Sequence, residues 1–340
     1  MFSTIYIEDE VRRHPRVERL CRRFPQADIV ACRRYGEVFN RKAQNFRLQK
    51  QKPALILAGK HDRFVLPAPD GYGIGAGHNY YFSHMLNCIY DCRYCFLQGM
   101  YRSAHVVLFV NYEDFEPAIE KKIAAHPDQE VHFFSGYDCD SLALEPVTAF
   151  VDFILPIFKN QPGALLELRT KSTQIRSLLN VEPPDNCIVA FSFTPGNIAA
   201  ALEHKAPALE RRLAALRQLQ KAGWKTGLRF DPLIYEQHYR DSYRRLFEAV
   251  FDGLEVNRLH SVSLGHFRLP RDYYKTLRRL YPDEKLFASP LEDDAGIISY
   301  KKTIAEEMLQ YCRHAVLSYV PEEIFFPCTA PPRRARPLTA

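Results

Sequence analysis

Three cysteines, Cys88, Cys92 and Cys95, lie within eight residues in a C-x3-C-x2-C arrangement. Thiolates so closely spaced on a loop can converge on one side of a small inorganic core. Iron–sulfur clusters are held by such thiolates, usually four of them. This loop supplies three and no fourth lies nearby in the sequence, so one iron of a [4Fe–4S] cluster would be open to a non-protein ligand. The spacing therefore predicts a cluster with one open coordination position.

A structural zinc site is the first alternative for this loop. Zinc needs a closed tetrahedral set of ligands, and His84 or His78 could complete the three thiolates to four. Cysteines that are reactive or merely packed are the second alternative. The aromatic residues Tyr94 and Phe96 beside the thiols, together with the spacing, favour the cluster.

Polar residues follow several apolar segments and could bind a cofactor. Lys171 is suited to pair with a carboxylate, or it is a solvated lysine at a helix start. Ser192 could donate a hydrogen bond to a ribose hydroxyl, or it caps the following turn. The turn Ser135-Gly136-Tyr137-Asp138 contains a glycine, which permits close approach of the backbone to a ligand. Asp231 could line the same pocket.

Strands and helices alternate from about Tyr80 onward, and these elements must position the polar groups. The predicted strands are Tyr80–Met85, Val106–Val110, Glu130–Phe134, Ala164–Arg169, Cys187–Phe193, Lys225–Phe230 and Leu259–Leu264. Six or seven βα units with short connections imply an α/β fold with a parallel sheet, closed or partly closed into a (β/α)6-type barrel. Such barrels place active sites at the C-terminal ends of the strands. A last helix, Thr303–Arg313, is expected to cover one end.

The sequence divides the chain into three parts. Residues 1–70 are predicted to form a small N-terminal α/β unit, whose many arginines indicate either a solvated surface or a phosphate-binding one. Residues 71–325 form the barrel, and residues 326–340 form a basic, proline-rich tail that we expect to be disordered. The glycine-rich run Gly71–Gly77 precedes a strand, so we interpret it as a flexible loop and not as a dinucleotide-binding fingerprint.

Composition excludes several classes of protein. The 340 residues are 46% hydrophobic and 25% charged, unlike a disordered, collagen-like or coiled-coil chain. No run approaches the ~18 apolar residues of a membrane span and the N-terminus lacks a secretory pattern, so we expect a cytoplasmic protein with no membrane partner. The formal charge of +6 permits a polyanionic partner without requiring one. The odd total of nine cysteines argues against a disulfide framework.

The segment Cys92-Arg93-Tyr94-Cys95-Phe96-Leu97-Gln98 extends the cysteine loop into a longer pattern. It resembles the signature of the radical S-adenosylmethionine (SAM) superfamily and, within it, the loop of the spore photoproduct lyases. The resemblance implies a partial barrel of the radical SAM kind and a [4Fe–4S] cluster on Cys88, Cys92 and Cys95, with SAM bound through the open iron.

The same resemblance implies the activity of a carbon–carbon lyase that repairs DNA. The reduced cluster would cleave SAM to a 5′-deoxyadenosyl radical, which abstracts hydrogen from a pyrimidine photoproduct. A reductant such as flavodoxin or ferredoxin would supply the electron. The resemblance also implies cofactor-binding roles for Tyr94, Ser135, Gly136, Asp138, Lys171 and Ser192.

Three departures from the family pattern bear on the substrate. In the family a cysteine returns hydrogen to the product radical. Aligning Asp140 with the family's aspartate puts Tyr137 at that position, and Cys139 lies two residues later. Both are therefore candidate catalytic residues. Phe96 lacks the hydroxyl of the family's second aromatic residue, and the acidic segment Pro290–Asp294 replaces an Arg-Tyr-rich hairpin and is ill-suited to phosphate.

Two alternatives for the function stay open. One is a radical SAM enzyme that acts on a non-DNA substrate, which the acidic segment favours. The other is a non-catalytic nucleic-acid-binding protein with a structural metal.

Overall fold

The computed structural model describes residues 2–329 and contains the alternating strands and helices expected from the sequence. The strands are β1 (Thr4–Glu8), β2 (Asp28–Cys32), β3 (Leu55–Ala58), β4 (Leu66–Pro67), β5 (His78–Phe82), β6 (Met85–Leu86), β7 (Asp91–Cys92), β8 (Val106–Phe109), β9 (Val131–Ser135), β10 (Ala164–Thr170), β11 (Cys187–Ser192), β12 (Glu203–His204), β13 (Lys225–Leu233), β14 (Leu259–His266), β15 (Arg268–Pro270), β16 (Leu291–Asp294), β17 (Ile297–Tyr300) and β18 (Phe325–Pro327). The helices are α1 (Pro15–Arg23), α2 (Tyr35–Phe39), α3 (Phe46–Gln51), α4 (Leu97–Met100), α5 (Phe115–Ala124), α6 (Glu145–Thr148), α7 (Phe150–Lys159), α8 (Arg176–Leu179), α9 (Gly196–Leu202), α10 (Leu209–Lys221), α11 (Tyr239–Phe251), α12 (Arg271–Leu280) and α13 (Lys302–Leu317).

The larger sheet is the partial barrel, and it confirms the predicted fold class. Within the described residues its strand order is β18-β14-β13-β11-β10-β9-β5-β4. Every neighbouring pair from β5 to β18 is parallel, and only the short β4 at the edge is antiparallel. Strand β11 is buried at each of its six residues, as expected for a parallel strand covered on both faces.

A second sheet has the order β2-β1-β3-β8-β6 and corrects one predicted strand. The sequence placed Val106–Val110 in the barrel series, but Val106–Phe109 pairs in parallel with Leu55–Ala58 of the N-terminal unit. All four residues of β8 are buried. Such a short apolar run fits the centre of either sheet, so its pattern does not identify its neighbours. The division of the chain at residues 70 and 325 stays a prediction.

The segment between the two sheets carries the cysteine loop. The predicted strand Tyr80–Met85 ends early, at Phe82, because Met85–Leu86 pairs antiparallel with β8 instead. The chain thus crosses from the barrel to the N-terminal sheet within a few residues. The cysteine loop follows β6 directly and lies where the two sheets meet.

The predicted helix Val147–Phe158 is broken into α6 and α7 at Ala149, whose φ is 50°. The carboxylate of Glu145 accepts hydrogen bonds from the backbone N–H groups of Phe150 (3.2 Å) and Val151 (3.1 Å). It therefore satisfies two of the N–H groups that begin α7 and lack partners within the helix.

The C-terminal region packs against the far edge of the barrel. Helix α13 contacts β14 and α11, and β18 pairs in parallel with β14. The last strand therefore extends into the range 326–340 that was predicted as a tail, and residues 330–340 lie outside the described residues. Strands β15, β17 and β16 form a small antiparallel sheet that contains the acidic segment. Between residues 2 and 329, no helix has the length and apolar character needed to cross a membrane.

Candidate active site

The first cysteine of the loop is fixed by hydrogen bonds on both sides. Asn87 adopts a left-handed backbone conformation (φ 73°), and its side-chain amide donates to the carbonyls of Ser103 (2.8 Å) and His105 (3.1 Å). Its side-chain oxygen accepts from the backbone N–H of Cys88 (2.9 Å). The Lys50 ammonium donates to the Cys88 carbonyl (2.5 Å). The backbone at Cys88 is thus held by Lys50 of the N-terminal unit and, through Asn87, by the segment that precedes β8.

The second cysteine is fixed by pairing with a distant segment. Cys92 lies in β7, which pairs antiparallel with β12 so that Cys92 is opposite Glu203. The side-chain amide of Gln98 donates to the carbonyl of Cys92, and the Tyr281 hydroxyl donates to Gln98 (2.6 Å). The loop is therefore tied both to the barrel and to the residue that follows α12.

One cavity brings together most of the predicted site residues. Those that line it are Cys88, Cys92, Tyr94, Cys95, Gly136, Tyr137, Cys139, Lys171 and Ser192. They come from the cysteine loop and from the C-terminal ends of β9, β10 and β11. The cavity therefore lies at the carboxyl end of the barrel strands, where the site was predicted, and Asp231 of β13 lines it too.

The donors at the cavity fit an iron–sulfur cluster better than a closed zinc site. His84 stacks on Phe150 with ring centroids 3.8 Å apart, His78 stacks on His126 at 3.5 Å, and neither histidine lines the cavity. Tetrahedral zinc with Zn–S bonds of about 2.3 Å holds its sulfurs about 3.8 Å apart. Among the described residues, the loop thiols do not form a ligand group with all atoms within 4.8 Å. Burial raises the pKa of Cys88 to about 12, so cluster binding would displace its proton.

Lys171 lies beside a buried charge network that includes Tyr94. Its ammonium is 5.7 Å from the centre of the Tyr94 ring. The Tyr94 hydroxyl and the Arg212 guanidinium both donate to the Glu203 carboxylate, and Arg212 also donates to the carbonyl of Ser192 (2.9 Å). Burial lowers the pKa of Lys171, but Glu203, together with Cys92 and Cys95, raises it, and the net shift of that pKa is upward. The ammonium is therefore charged and can bind a carboxylate.

Asp140 connects the turn after β9 to the end of β10. Its carboxylate accepts from the backbone N–H groups of Leu142 (3.0 Å), Ala143 (2.9 Å) and Lys171 (2.7 Å), and from the Thr170 hydroxyl (2.6 Å). These bonds fix the backbone that carries Lys171 at the edge of the cavity.

The predicted turn Ser135–Asp138 is divided between the cavity and the interior. Gly136 has φ 86°, and a Cβ atom there would lie 2.5 Å from the Ser141 hydroxyl oxygen, so only glycine fits this close approach. Ser135 and Asp138 do not line the cavity. The Ser135 hydroxyl is buried without a partner among residues 2–329, and the Asp138 carboxylate accepts from the Ser83 hydroxyl (2.8 Å). Cofactor roles for Ser135 and Asp138 stay predictions.

Both candidates for hydrogen donation reach the cavity. The Tyr137 ring packs against Tyr81 (4.4 Å between centroids), Phe96 (5.6 Å) and Tyr72 (5.6 Å). Cys139 is buried, and burial raises the pKa of its thiol, with Asp138 adding to the effect. The offset of two residues does not remove the thiol from the site.

The sequence analysis missed several cavity residues, among them Tyr72, Arg169 and Arg268. Arg169 lies near the end of the predicted strand that precedes Lys171, so its position at the strand end was a signal for the site. Tyr72 lies in the glycine-rich run, and Arg268 begins the three-residue strand β15, which is too short to show a period in the sequence.

A comparison with protein families identifies the chain. A family model described as spore photoproduct lyase matches residues 76–301, which is more than half of the sequence. This chain belongs to the spore photoproduct lyase family. The predicted resemblance to radical SAM proteins is therefore confirmed.

Curated spore photoproduct lyases are distant relatives. The protein from Bacillus subtilis (strain 168) is 22% identical over 202 residues, and that from Geobacillus sp. (strain Y412MC61) is 21% identical over 203. The aligned parts span 58% of this chain and 59% of each relative.

Solved spore photoproduct lyases share the fold along almost the whole chain. A mutant enzyme with bound AdoMet and dinucleoside spore photoproduct gives a TM-score of 0.84 at 18% identity, covering 97% of this chain and 99% of that one. A mutant with dinucleoside spore photoproduct alone gives 0.83 at 18% identity, covering 96% and 99%. The N-terminal sheet as well as the barrel therefore belongs to the spore photoproduct lyase fold.

Proposed function

We propose that this chain is a radical SAM lyase that repairs a pyrimidine photoproduct in DNA. The observation that carries the proposal is the convergence of the three loop cysteines with Lys171 and Ser192 on one cavity at the ends of the barrel strands. A relative with the same fold has been solved with both AdoMet and dinucleoside spore photoproduct bound. The lining of this cavity provides groups suited to each of those ligands.

The cofactor would be held by residues that the fold already fixes. Cys88, Cys92 and Cys95 would bind a [4Fe–4S] cluster, and Lys171 would pair with the carboxylate of SAM. With SAM bound, such a cluster supplies a 5′-deoxyadenosyl radical for hydrogen abstraction, once a flavodoxin or ferredoxin has supplied the electron. Ser192 can donate to a ribose oxygen. Gly136 permits close approach of the backbone to the amino group of SAM.

Aromatic side chains give the cavity surfaces on which nucleobases can stack. Tyr72, Phe96 and Tyr137 all line it, and the Tyr137 ring lies 5.6 Å from each of the other two. Stacking on an aromatic side chain is worth ~1–3 kcal/mol per base. This lining supports a pyrimidine lesion as the substrate.

We assign the return of hydrogen to the Cys139 thiol. The thiol would give its hydrogen atom to the carbon radical of the product, forming a C–H bond and leaving a thiyl radical. Cys139 lines the cavity on the turn after β9, as Tyr137 does. The ring of Tyr137 is held within an aromatic cluster, which suits a stacking surface.

The acidic hairpin supports a second candidate, a radical SAM enzyme with a non-DNA substrate. Glu292 and Asp294 are exposed on β16 and would repel a phosphate backbone. Asp293, however, pairs with Arg271 at the start of α12. One of the three acidic charges is thus compensated, and DNA remains the preferred substrate.

The test is an assay of the anaerobically reconstituted protein with SAM, dithionite and DNA that contains spore photoproduct. We expect loss of the lesion, restoration of two thymidine residues in the DNA strand and release of 5′-deoxyadenosine. Cys92→Ala should abolish all three. The matched control is Cys187→Ala, since this buried thiol on β11 does not line the cavity.

Each contrary outcome has a distinct meaning. Release of 5′-deoxyadenosine without loss of the lesion would overturn the DNA substrate and favour the second candidate. A reconstituted protein that holds zinc but no iron would overturn both.

A further inference from the structure

Arg169 is a charged group of the cavity that cofactor binding does not use. It lies on the same face of β10 as Glu167, because alternate residues of a strand share a face, and Lys171 follows the strand directly. Its Nε donates to Glu167 Oε1 (2.7 Å), and its guanidinium packs over the Tyr72 ring at 4.7 Å. With the described residues it makes side-chain hydrogen bonds through Nε alone. Its two terminal amino groups are therefore left to bind a ligand in the cavity that Arg169 lines.

A second guanidinium adds positive charge on this side of the cavity. Arg268 donates to the Asp231 carboxylate (3.0 Å), and both residues line the cavity. Behind Arg169, the fully buried Arg229 donates to the other carboxylate oxygen of Glu167 (2.7 Å). Glu167 is therefore shared between two guanidiniums.

The charges in this cluster do not cancel. Three guanidiniums face two carboxylates, and the members are Arg169, Arg229, Arg268, Glu167 and Asp231. The neighbouring Cys328 adds no negative charge near neutral pH, since burial raises the pKa of its thiol to about 11. Burial lowers the pKa of His260 to about 4, so that imidazole is neutral. A buried net positive charge is costly unless an anion pairs with it.

We propose that Arg169 binds the phosphodiester that links the two nucleosides of the lesion. This inference rests on the proposed function and specifies how its substrate is recognised. A guanidinium fork donates two parallel N–H groups to two oxygens of a phosphate. Tyr72 supports the guanidinium plane and packs against Tyr137, so a phosphate on Arg169 would lie beside rings on which the bases can stack. Lys171 is left for the carboxylate of SAM.

The experiment compares two lesions that differ only in this phosphate. One is the dinucleotide spore photoproduct with its bridging phosphodiester, and the other is the dinucleoside form without it. Binding to the reconstituted protein with SAM is measured by equilibrium dialysis. Turnover is measured as loss of the lesion, which gives the phosphodiester-linked thymidine dinucleotide from the first substrate and two free thymidines from the second. A charged hydrogen bond of about 1.5–3 kcal/mol corresponds to a preference of about 10-fold to 100-fold for the dinucleotide.

Substitutions of Arg169 test whether this residue binds the phosphate. Arg169→Met should remove the preference by weakening only dinucleotide binding, and Arg169→Lys should retain part of it because the charge remains without the fork. The matched control is Arg244→Met, an exposed arginine of α11 that should keep the full preference. If Arg169→Met does not fold, the relative affinity of the unaltered protein for the two lesions still shows whether the cavity binds the phosphate.

The outcomes separate this inference from the proposed function. Turnover of both lesions with equal affinity would overturn the phosphate site and leave the lyase function intact. Preferential binding of the dinucleotide without turnover would overturn the lyase function and leave the phosphate site intact. Failure of both lesions to bind would overturn both the phosphate site and the lyase function. If Arg169→Met weakened the binding of both lesions equally, the phosphate site would be overturned.

Discussion

The hydroxyl of Tyr94 donates a hydrogen bond to the carboxylate of Glu203, and both side chains are buried beside the cysteine loop. The same carboxylate accepts from Arg212 and raises the pKa of Lys171 against the effect of burial. Since Glu203 is paired with Cys92 across β12 and β7, a single acidic residue links the loop to Lys171 after strand β10 and to Arg212 of helix α10.

Replacement of this carboxylate should destabilise the fold. Glu203→Ala leaves the Arg212 guanidinium buried without its charged partner, which typically costs about 3–5 kcal/mol. We expect that loss in the free energy of unfolding, measured by urea denaturation. The control is Glu210→Ala at an exposed position in the first turn of α10, expected to change stability by no more than about 0.5 kcal/mol. Equal stability of the two variants would contradict the role given to Glu203.

A side chain at residue 136 should be tolerated poorly. Gly136→Ala would place a Cβ atom 2.5 Å from the Ser141 hydroxyl oxygen and 3.0 Å from its backbone nitrogen, at a φ of 86°. We expect a loss of about 1–3 kcal/mol and slower release of 5′-deoxyadenosine, because the turn must shift at the cavity. Gly163→Ala is the control, since no atom lies within 4 Å of its added Cβ. Thermal unfolding of both variants is the measurement, and a wild-type transition for Gly136→Ala would refute the close approach.

The sequence was sufficient to predict the parts of the site that local patterns encode. The cysteine spacing singled out the loop whose thiols line the cavity, and the alternation of strands and helices placed Lys171 and Ser192 at strand ends. Parallel strands bring their carboxyl ends to one edge of a sheet, so these residues had to converge once the barrel was predicted.

Long-range pairings could not be predicted in the same way. The run Val106–Phe109 is apolar throughout and would fit the centre of either sheet, so its partner depends on the whole topology. Glu203 and Tyr94 are separated by 109 residues and meet only because β12 pairs with β7. Tyr72 reaches the cavity from a glycine-rich loop. Glycines allow many backbone conformations, so the sequence pattern of this loop does not predict where its side chains point.

Glu145 should make stability depend on pH in a defined interval. Burial raises the pKa of its carboxyl from 4.5 to about 7. The folded protein thus binds this proton more tightly than the unfolded chain, so its contribution is complete below pH 4.5 and is lost as the pH rises towards 7. Glu145→Gln is neutral at every pH and should remove this decline, which amounts to about 3 kcal/mol.

Urea unfolding at about pH 5 and about pH 8 measures the effect of Glu145. The control is Glu116→Gln, an exposed acidic residue in the first turn of α5, which should keep the wild-type pH dependence. Parallel pH profiles for the wild type and Glu145→Gln would show that burial of this carboxyl does not control its proton affinity.

Replacement of Cys139 should separate hydrogen abstraction from hydrogen return. Cys139→Ala leaves the cluster cysteines and Lys171 in place, so release of 5′-deoxyadenosine should stay within about twofold of wild type. Thymidine formation should fall about tenfold or more, because the carbon radical of the product loses its nearby S–H group.

In D2O the exchangeable thiol should place deuterium in the thymidine made by the wild type. Tyr137→Phe is the matched test, since it removes the only other exchangeable hydrogen proposed for this step and keeps the stacking ring. If Tyr137→Phe abolishes deuterium transfer and Cys139→Ala does not, the hydrogen donor is Tyr137, and the assignment to the Cys139 thiol is wrong.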